Sequence, residues 1–135
     1  MAFTLSNELR DARLQAIVDT LDGGSGPGYI EFYDGVRPVT GGTVTTLLST
    51  HLLSSPCGVV LDQVLTFNTI EDDVSADAAA DVTWVRFYDG DGAFQIDADC
   101  GLAGSGADFI FDDDAILVGG LVRVTAGAIL EGNGQ

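Results

Sequence analysis

The chain has 135 residues, 46% of them hydrophobic, and carries 21 acidic residues against 5 basic ones, a formal net charge of −16. That length and apolar content suit one domain with its own core and exclude a disordered chain. The charge excludes nucleic acid and anionic membranes as partners, because the basic residues Arg10, Arg13, Arg37, Arg86 and Arg123 form no run and there is no lysine.

Residues 6–22 read as the one substantial helix. Ser6 is placed to cap it, Glu8 and Asp11 lie near its positive end, and Gly23-Gly24 stop it. Leu14, Ile17, Val18 and Leu21 share one face at helical spacing, while Leu5, Leu9, Ala12 and Ala16 share nearly the opposite one. Two apolar faces predict two neighbours. One reading gives the second face to another subunit, and the other wedges the helix between sheet and loops of its own chain. The start, MAFTLSNELRDAR, is too charged for a signal peptide, so synthesis in the cytosol without export by that route is expected. No stretch reaches the ~18 apolar residues of a membrane span.

GGSGPG at 23–28 reads as a hinge or linker, and after it the apolar period changes from 3.6 to 2. Strand-like runs follow at about 29–33, 44–53, 59–67, 82–88, 93–100, 107–111, 115–118 and 121–130. The expected fold is mainly β: an antiparallel β-sandwich or jelly roll preceded by one N-terminal α-helix. Residues 1–28 form the helix and glycine-rich linker and 29–135 the sandwich, in one structural domain.

YIEFYDG at 29–35 returns as WVRFYDG at 84–90. Alternation puts Ile30, Phe32, Val85 and Phe87 on inner faces, with Tyr29, Glu31, Tyr33, Trp84, Arg86 and Tyr88 on outer ones. The flanks do not align, so the copies read as one strand-plus-turn solution reached twice. If the strands are neighbours, Glu31 and Arg86 are placed to pair.

Chemical motifs fail on inspection. DGDGAFQIDAD begins like an EF-hand loop, with Asp89 and Asp91, but Ala93 and Phe94 stand at the fifth-ligand and glycine positions and Cys100 replaces the bidentate Glu. AGSGADFIF at 103–111 resembles a calcium nonapeptide without the second turn such sites need, and reads as a glycine-rich turn entering a strand. Asp97 and Asp99 point to one face, as a cation pair or as a solvated strand surface, and Asp72-Asp73 and Asp112-Asp113-Asp114 read as solvated loops. His51 reads as buried or edge-facing, without a thiol in reach. Cys57 and Cys100 read as free thiols. No catalytic set, cofactor or metal is expected.

LSNELRDARLQAIVD, GPGYIEFYDGVRP, VLTFNTIEDDVSADAAADVTWVRFYDGDG and a β-rich tail ending in EGN appear in this order, from about Leu5 to Asn133. The order resembles small proteins encoded among the structural genes of tailed bacteriophages and prophages. That resemblance implies a non-enzymatic virion component, a capsid decoration or cement protein on the outer surface of the head. Its partners would be the major capsid protein and further copies of itself. The partner-facing residues would be those of the helix: Leu5, Leu9, Ala12, Leu14, Ile17, Val18 and Leu21. The alternative is a carbohydrate- or calcium-dependent binding module, which would show Trp84, Tyr29, Tyr33 and Tyr88 exposed beside the Asp clusters.

Overall fold

The computed structural model describes residues 4–107, 109–111, 115–124 and 127–130. Helix α1 spans Asn7–Leu21. The Ser6 side chain accepts the Leu9 amide at 3.1 Å, which occupies one of the amides left free at a helix start. At the other end the Asp22 amide returns to the Val18 carbonyl at 2.9 Å.

Among the described residues ten strands follow: β1 Tyr29–Tyr33, β2 Leu47–Leu52, β3 Gly58–Leu61, β4 Val64–Phe67, β5 Ala80–Asp81, β6 Trp84–Tyr88, β7 Phe94–Leu102, β8 Phe109–Phe111, β9 Ala115–Ile116 and β10 Ala128–Leu130. They form a five-stranded sheet ordered β2-β1-β6-β7-β8, a three-stranded sheet β10-β4-β3 and a two-stranded sheet β5-β9. The fold is mainly β with one N-terminal helix, and its pairs are antiparallel except one. β8 runs parallel to β7, with Cys100 opposite Phe109, so the glycine-rich segment after β7 carries the chain back to pair in the same direction.

One core joins these layers. From the five-stranded sheet come Ile30, Phe32, Val85, Phe87, Ala98 and Cys100, and from the opposing side Leu65 and Phe67, Ile116 and the helix residues Leu14, Val18 and Leu21. The Phe67 and Phe87 rings meet across the layers at 5.7 Å. Burying a side chain of this kind contributes about 1.5–3 kcal/mol, so the helix is fastened by its one inward face.

Three expectations are corrected. The run 59–67 is not one strand but the hairpin β3–β4, turning at Asp62 and Gln63 with φ of 52° and 61°. These left-handed angles make the two-residue turn that suits strand twist, usually written with Asn or Gly. Here Asp11 of α1 supports it, accepting the Gln63 amide at 2.9 Å. Residues 23–28 are not a free linker either. Ser25 donates its amide and hydroxyl to Asp91 at 3.0 and 2.7 Å, and the Gly90 amide reaches the Gly23 carbonyl at 3.1 Å. A Cβ at Gly28 would stand 2.7 Å from the Leu21 carbonyl oxygen and 2.8 Å from that of Tyr88, so only glycine fits between the end of α1 and the end of β6. Of the two apolar faces of α1, moreover, its own chain buries only the one with Leu14, Val18 and Leu21, so the helix is not wedged between sheet and loops of one chain. Leu9 is 48% exposed and Ala12 and Ala16 are exposed, with Leu5 half-buried.

Candidate functional site

The two look-alike strands lie side by side. β1 and β6 pair antiparallel, Tyr29 opposite Tyr88, Glu31 opposite Arg86 and Tyr33 opposite Trp84. On the outer face this stacks Tyr29 on Tyr88 at 4.7 Å and Tyr33 on Trp84 at 4.4 Å. Between the two stacks runs a cross-strand row, Thr50, Glu31, Arg86 and Asp97, one residue from each of four strands.

Arg86 does not take Glu31 as its ion partner. Its Nε and Nη2 donate to Asp97 at 2.7 and 3.0 Å, its Nη1 donates to the Gly42 carbonyl at 3.0 Å, and the guanidinium lies 5.2 Å from the Trp84 ring centre and 5.0 Å from that of Phe94. A fork-to-fork geometry with a carboxylate is the stronger arrangement, and Asp97 stands directly opposite on β7. Glu31 instead accepts Tyr33 Oη at 2.9 Å and Thr50 Oγ1 at 3.1 Å, and Tyr33 Oη also meets Tyr88 Oη at 2.9 Å. Burial, with these hydrogen bonds, pushes the Tyr33 phenol well above its ordinary range.

The loop between β1 and β2 roofs this layer. Gly41 donates its amide to Asp97 at 3.1 Å, Arg37 holds Asp99 at 2.7 Å, and Trp84 Nε1 donates to the Asp34 carbonyl at 3.0 Å. Trp84 is 0% exposed and Tyr33 2%. Two of the four aromatics that a sugar would need are therefore inside the molecule, leaving Tyr29 and Tyr88 half-buried against each other.

The acidic clusters are similarly engaged. Asp97 and Asp99 each face an arginine. Asp89 accepts the amides of Asp91 and Ala93 at 3.0 and 2.9 Å, which shapes the β6–β7 turn. Asp72 pairs with Arg123 at 3.0 Å. Asp73 is structural where a solvated loop was expected: its carboxylate takes the Thr50 amide at 3.0 Å and its backbone exchanges two bonds with Val122. The neighbouring amides of Glu71 and Asp77 bond Leu52 and Leu48, so the 71–77 segment covers the outer edge of β2. Asp112 to Asp114 lie outside the described residues. Among the described residues no cluster of three metal-ligating side chains occurs, and no buried side-chain polar atom lacks a partner.

His51 is fully buried on the inner face of β2, edge-on to Phe32. Nδ1 meets the Glu71 carbonyl at 2.8 Å, so it carries the proton, and Nε2 accepts from Ser49 Oγ at 3.1 Å. Desolvation holds this imidazole below its ordinary value, against the opposing pull of the Glu71 carbonyl, Asp73 and Asp72. Cys57 and Cys100 are both buried thiols, and burial beside Asp22 pushes the Cys57 thiol up to about 12. A cleft of about 360 Å³ lies between Val82 and the 115–123 segment, and one of about 200 Å³ between α1 and Gln95-Ile96. Neither brings a nucleophile next to a base.

Of the residues expected to face a partner, Leu14, Val18 and Leu21 are 0%, 3% and 0% exposed and Ile17 packs against the core. They hold α1 in place. Leu5, Leu9 and Ala12 remain at least partly open on the other side.

Sequence reasoning passed over a second open surface, the outward face of the β10-β4-β3 sheet. Two cross-strand rows make it: Leu61, Val64 and Leu130, then Val59, Thr66 and Ala128. Val59 is 57% exposed, Leu61 70% and Leu130 74%. A signal was available, since residues 53–70 contain one charge, Asp62, and residues 115–130 one, Arg123, in a chain of net −16. No protein-family model matches the chain, and neither does any curated protein or solved structure.

Proposed function

We propose that the protein is a non-enzymatic structural component of a phage virion, a decoration or cement protein that lies on the outer surface of the capsid and stabilises it. The observation that carries this reading is the division of the molecule into two unlike sides. One sheet is acidic, with its arginine, aromatic and carboxylate groups engaged with one another under a loop. The other layer, the β10-β4-β3 sheet, is poor in charge and leaves apolar side chains in water, and the outer side of α1 adds the exposed Leu9 and Ala12 among the charges of Glu8, Arg10, Arg13 and Asp19. Such a molecule is suited to lying against something while keeping an acidic, soluble face outward. The sequence resemblance to phage structural proteins supplies the particular partner, the major capsid protein.

The reading is tested by mixing the full chain with purified capsids, unexpanded and expanded, and sedimenting them. Saturable co-sedimentation with expanded heads, and a higher capsid melting temperature, are the expected results. Co-sedimentation with no capsid form would sink the proposal. Substituting Leu9→Glu and Ala12→Glu should weaken binding if the open side of α1 makes the contact, with folding checked by circular dichroism.

A further inference from the structure

We infer that the outward face of the β10-β4-β3 sheet is a self-association surface, and that its occupant is the same face of a second copy. The inference does not rest on the capsid reading; where both hold, the sheet face takes a second copy and the open side of α1 takes the capsid.

Two observations point to a second copy over other occupants. The first is charge. The segments that build this sheet, 53–70 and 115–130, hold two of the chain's charged residues, and neither lies on the face: Asp62 sits in the β3–β4 turn and Arg123 is paired with Asp72. A basic partner would be drawn to the acidic surfaces, and nothing would be gained by clearing this one of charge. A partner that is itself −16 can approach closely only where both surfaces are neutral. The second observation is chemical self-similarity. Five of the six outward residues, Val59, Leu61, Val64, Ala128 and Leu130, are apolar, and Thr66 needs no charged partner. A face of this kind satisfies itself across a two-fold axis, as one sheet packing on another about 10 Å away.

Size sets the strength. Three strands at ~4.8 Å spacing and three or four residues of ~3.4 Å each give a footprint well below the ~800 Å² per partner of a stable complex. The pairing is therefore weak, and repulsion between the acidic remainders of the two copies opposes it. Salt should strengthen it, because screening shortens from ~10 Å at 0.1 M to ~3 Å at 1 M.

Sedimentation equilibrium of the full chain alone, from about 10 μM to about 1 mM in dilute and in ~1 M sodium chloride, tests this. Expected are a monomer at the low end, movement toward two copies at the high end, and tighter association in high salt. Leu61→Asp should weaken association at least tenfold, and so should Leu130→Asp. Val39→Asp, in the β1–β2 loop at a residue 85% exposed, should leave it unchanged. The melting temperature of each variant separates lost association from lost folding. A monomer throughout, a mass above two copies, association indifferent to both sheet substitutions, or equal loss with Val39→Asp would each overturn the inference. So would a wild-type monomer whose capsid co-sedimentation is abolished by Leu61→Asp, since the face would then belong to the capsid.

Discussion

Asp97→Ala removes the anion from beneath a guanidinium whose side chain is 6% exposed, and the carboxylate it deletes is 1% exposed. A buried charge without its partner costs about 3–5 kcal/mol, more than any surface ion pair contributes. The amide of Gly41 also loses its acceptor. Taking ~4 kcal/mol, and an unfolding entropy of ~2.1 cal/mol/K per residue over a chain of 135, the melting temperature falls by about 14 °C. Arg86→Met alone should do comparable damage by leaving Asp97 unpaired. Joined as Arg86→Met with Asp97→Leu, the changes should recover about half of the ~4 kcal/mol that either single variant costs, because an apolar pair of similar volume between Trp84 and Phe94 replaces a desolvated ion pair. The residue is roughly 2 kcal/mol, for the Gly41 amide and Gly42 carbonyl that the pair had bonded. Thermal and urea unfolding followed by fluorescence reads this directly, since Trp84 is the only tryptophan and lies beside the guanidinium. Single variants each costing under ~1 kcal/mol, or a double variant as unstable as their sum, would refute the view that the pair is buried and coupled.

His51 is neutral in the fold with its affinity for protons lowered, so the unfolded chain takes up the proton first as pH falls. Its contribution is fully present above the ordinary imidazole value of ~6.5 and declines below it. Wild type should therefore lose more melting temperature between pH 7.5 and 5.5 (test values either side of ~6.5) than His51→Gln does; equal losses would count against the assignment. Gln63→Gly relieves a left-handed angle at the β3–β4 turn and should raise stability by ~0.5–1 kcal/mol, while Asp11→Ala, which removes the support from α1, should lower it by ~1 kcal/mol; both are read from urea midpoints. Because self-repulsion acts at net −16 and the described Asp clusters are engaged internally, sodium and magnesium chloride at equal ionic strength should raise the melting temperature alike. Millimolar calcium that adds stabilisation beyond them would reveal a site.

Local chemistry made α1 legible: Ser6, the apolar spacing and Gly23-Gly24 each act within a turn or two of the helix. Alternation likewise assigned inner and outer residues of β1 and β6 correctly. It could not say what lies above an outer face. The loop that buries Trp84 and Tyr33 starts some fifty residues from Trp84, and no periodicity records that approach. Distance did not hide the choice of Asp97 by Arg86, since Asp97 stands 11 residues on, in the next strand; β6 has two neighbours, and the likeness of strands offered only the other one. The β3–β4 hairpin was missed because its turn carries Asp62 and Gln63, with no glycine, and depends on Asp11 from another element. β5, two residues long, is too short to show any period, whereas β9 falls within the run read at 115–118.

The likeness of β1 and β6 raises a hazard that their pairing resolves. During refolding two strands as alike in pattern as YIEFY and WVRFY invite β1 to seek the β1 of another molecule, or β6 its own twin, since the aromatic positions at both strand ends would stack in either mismatch. An antiparallel match centred on residue 31 with itself places Glu31 against Glu31, and the equivalent for β6 places Arg86 against Arg86. Like charges directly opposite are unfavourable, and only the true combination sets Glu31 opposite Arg86. The opposite charges at the middle position of the two copies thus discriminate between correct and mistaken partners, although in the finished fold the two groups bond elsewhere. Exchanging Glu31 for glutamine should leave the folded layer nearly as stable yet increase aggregation on rapid dilution from urea.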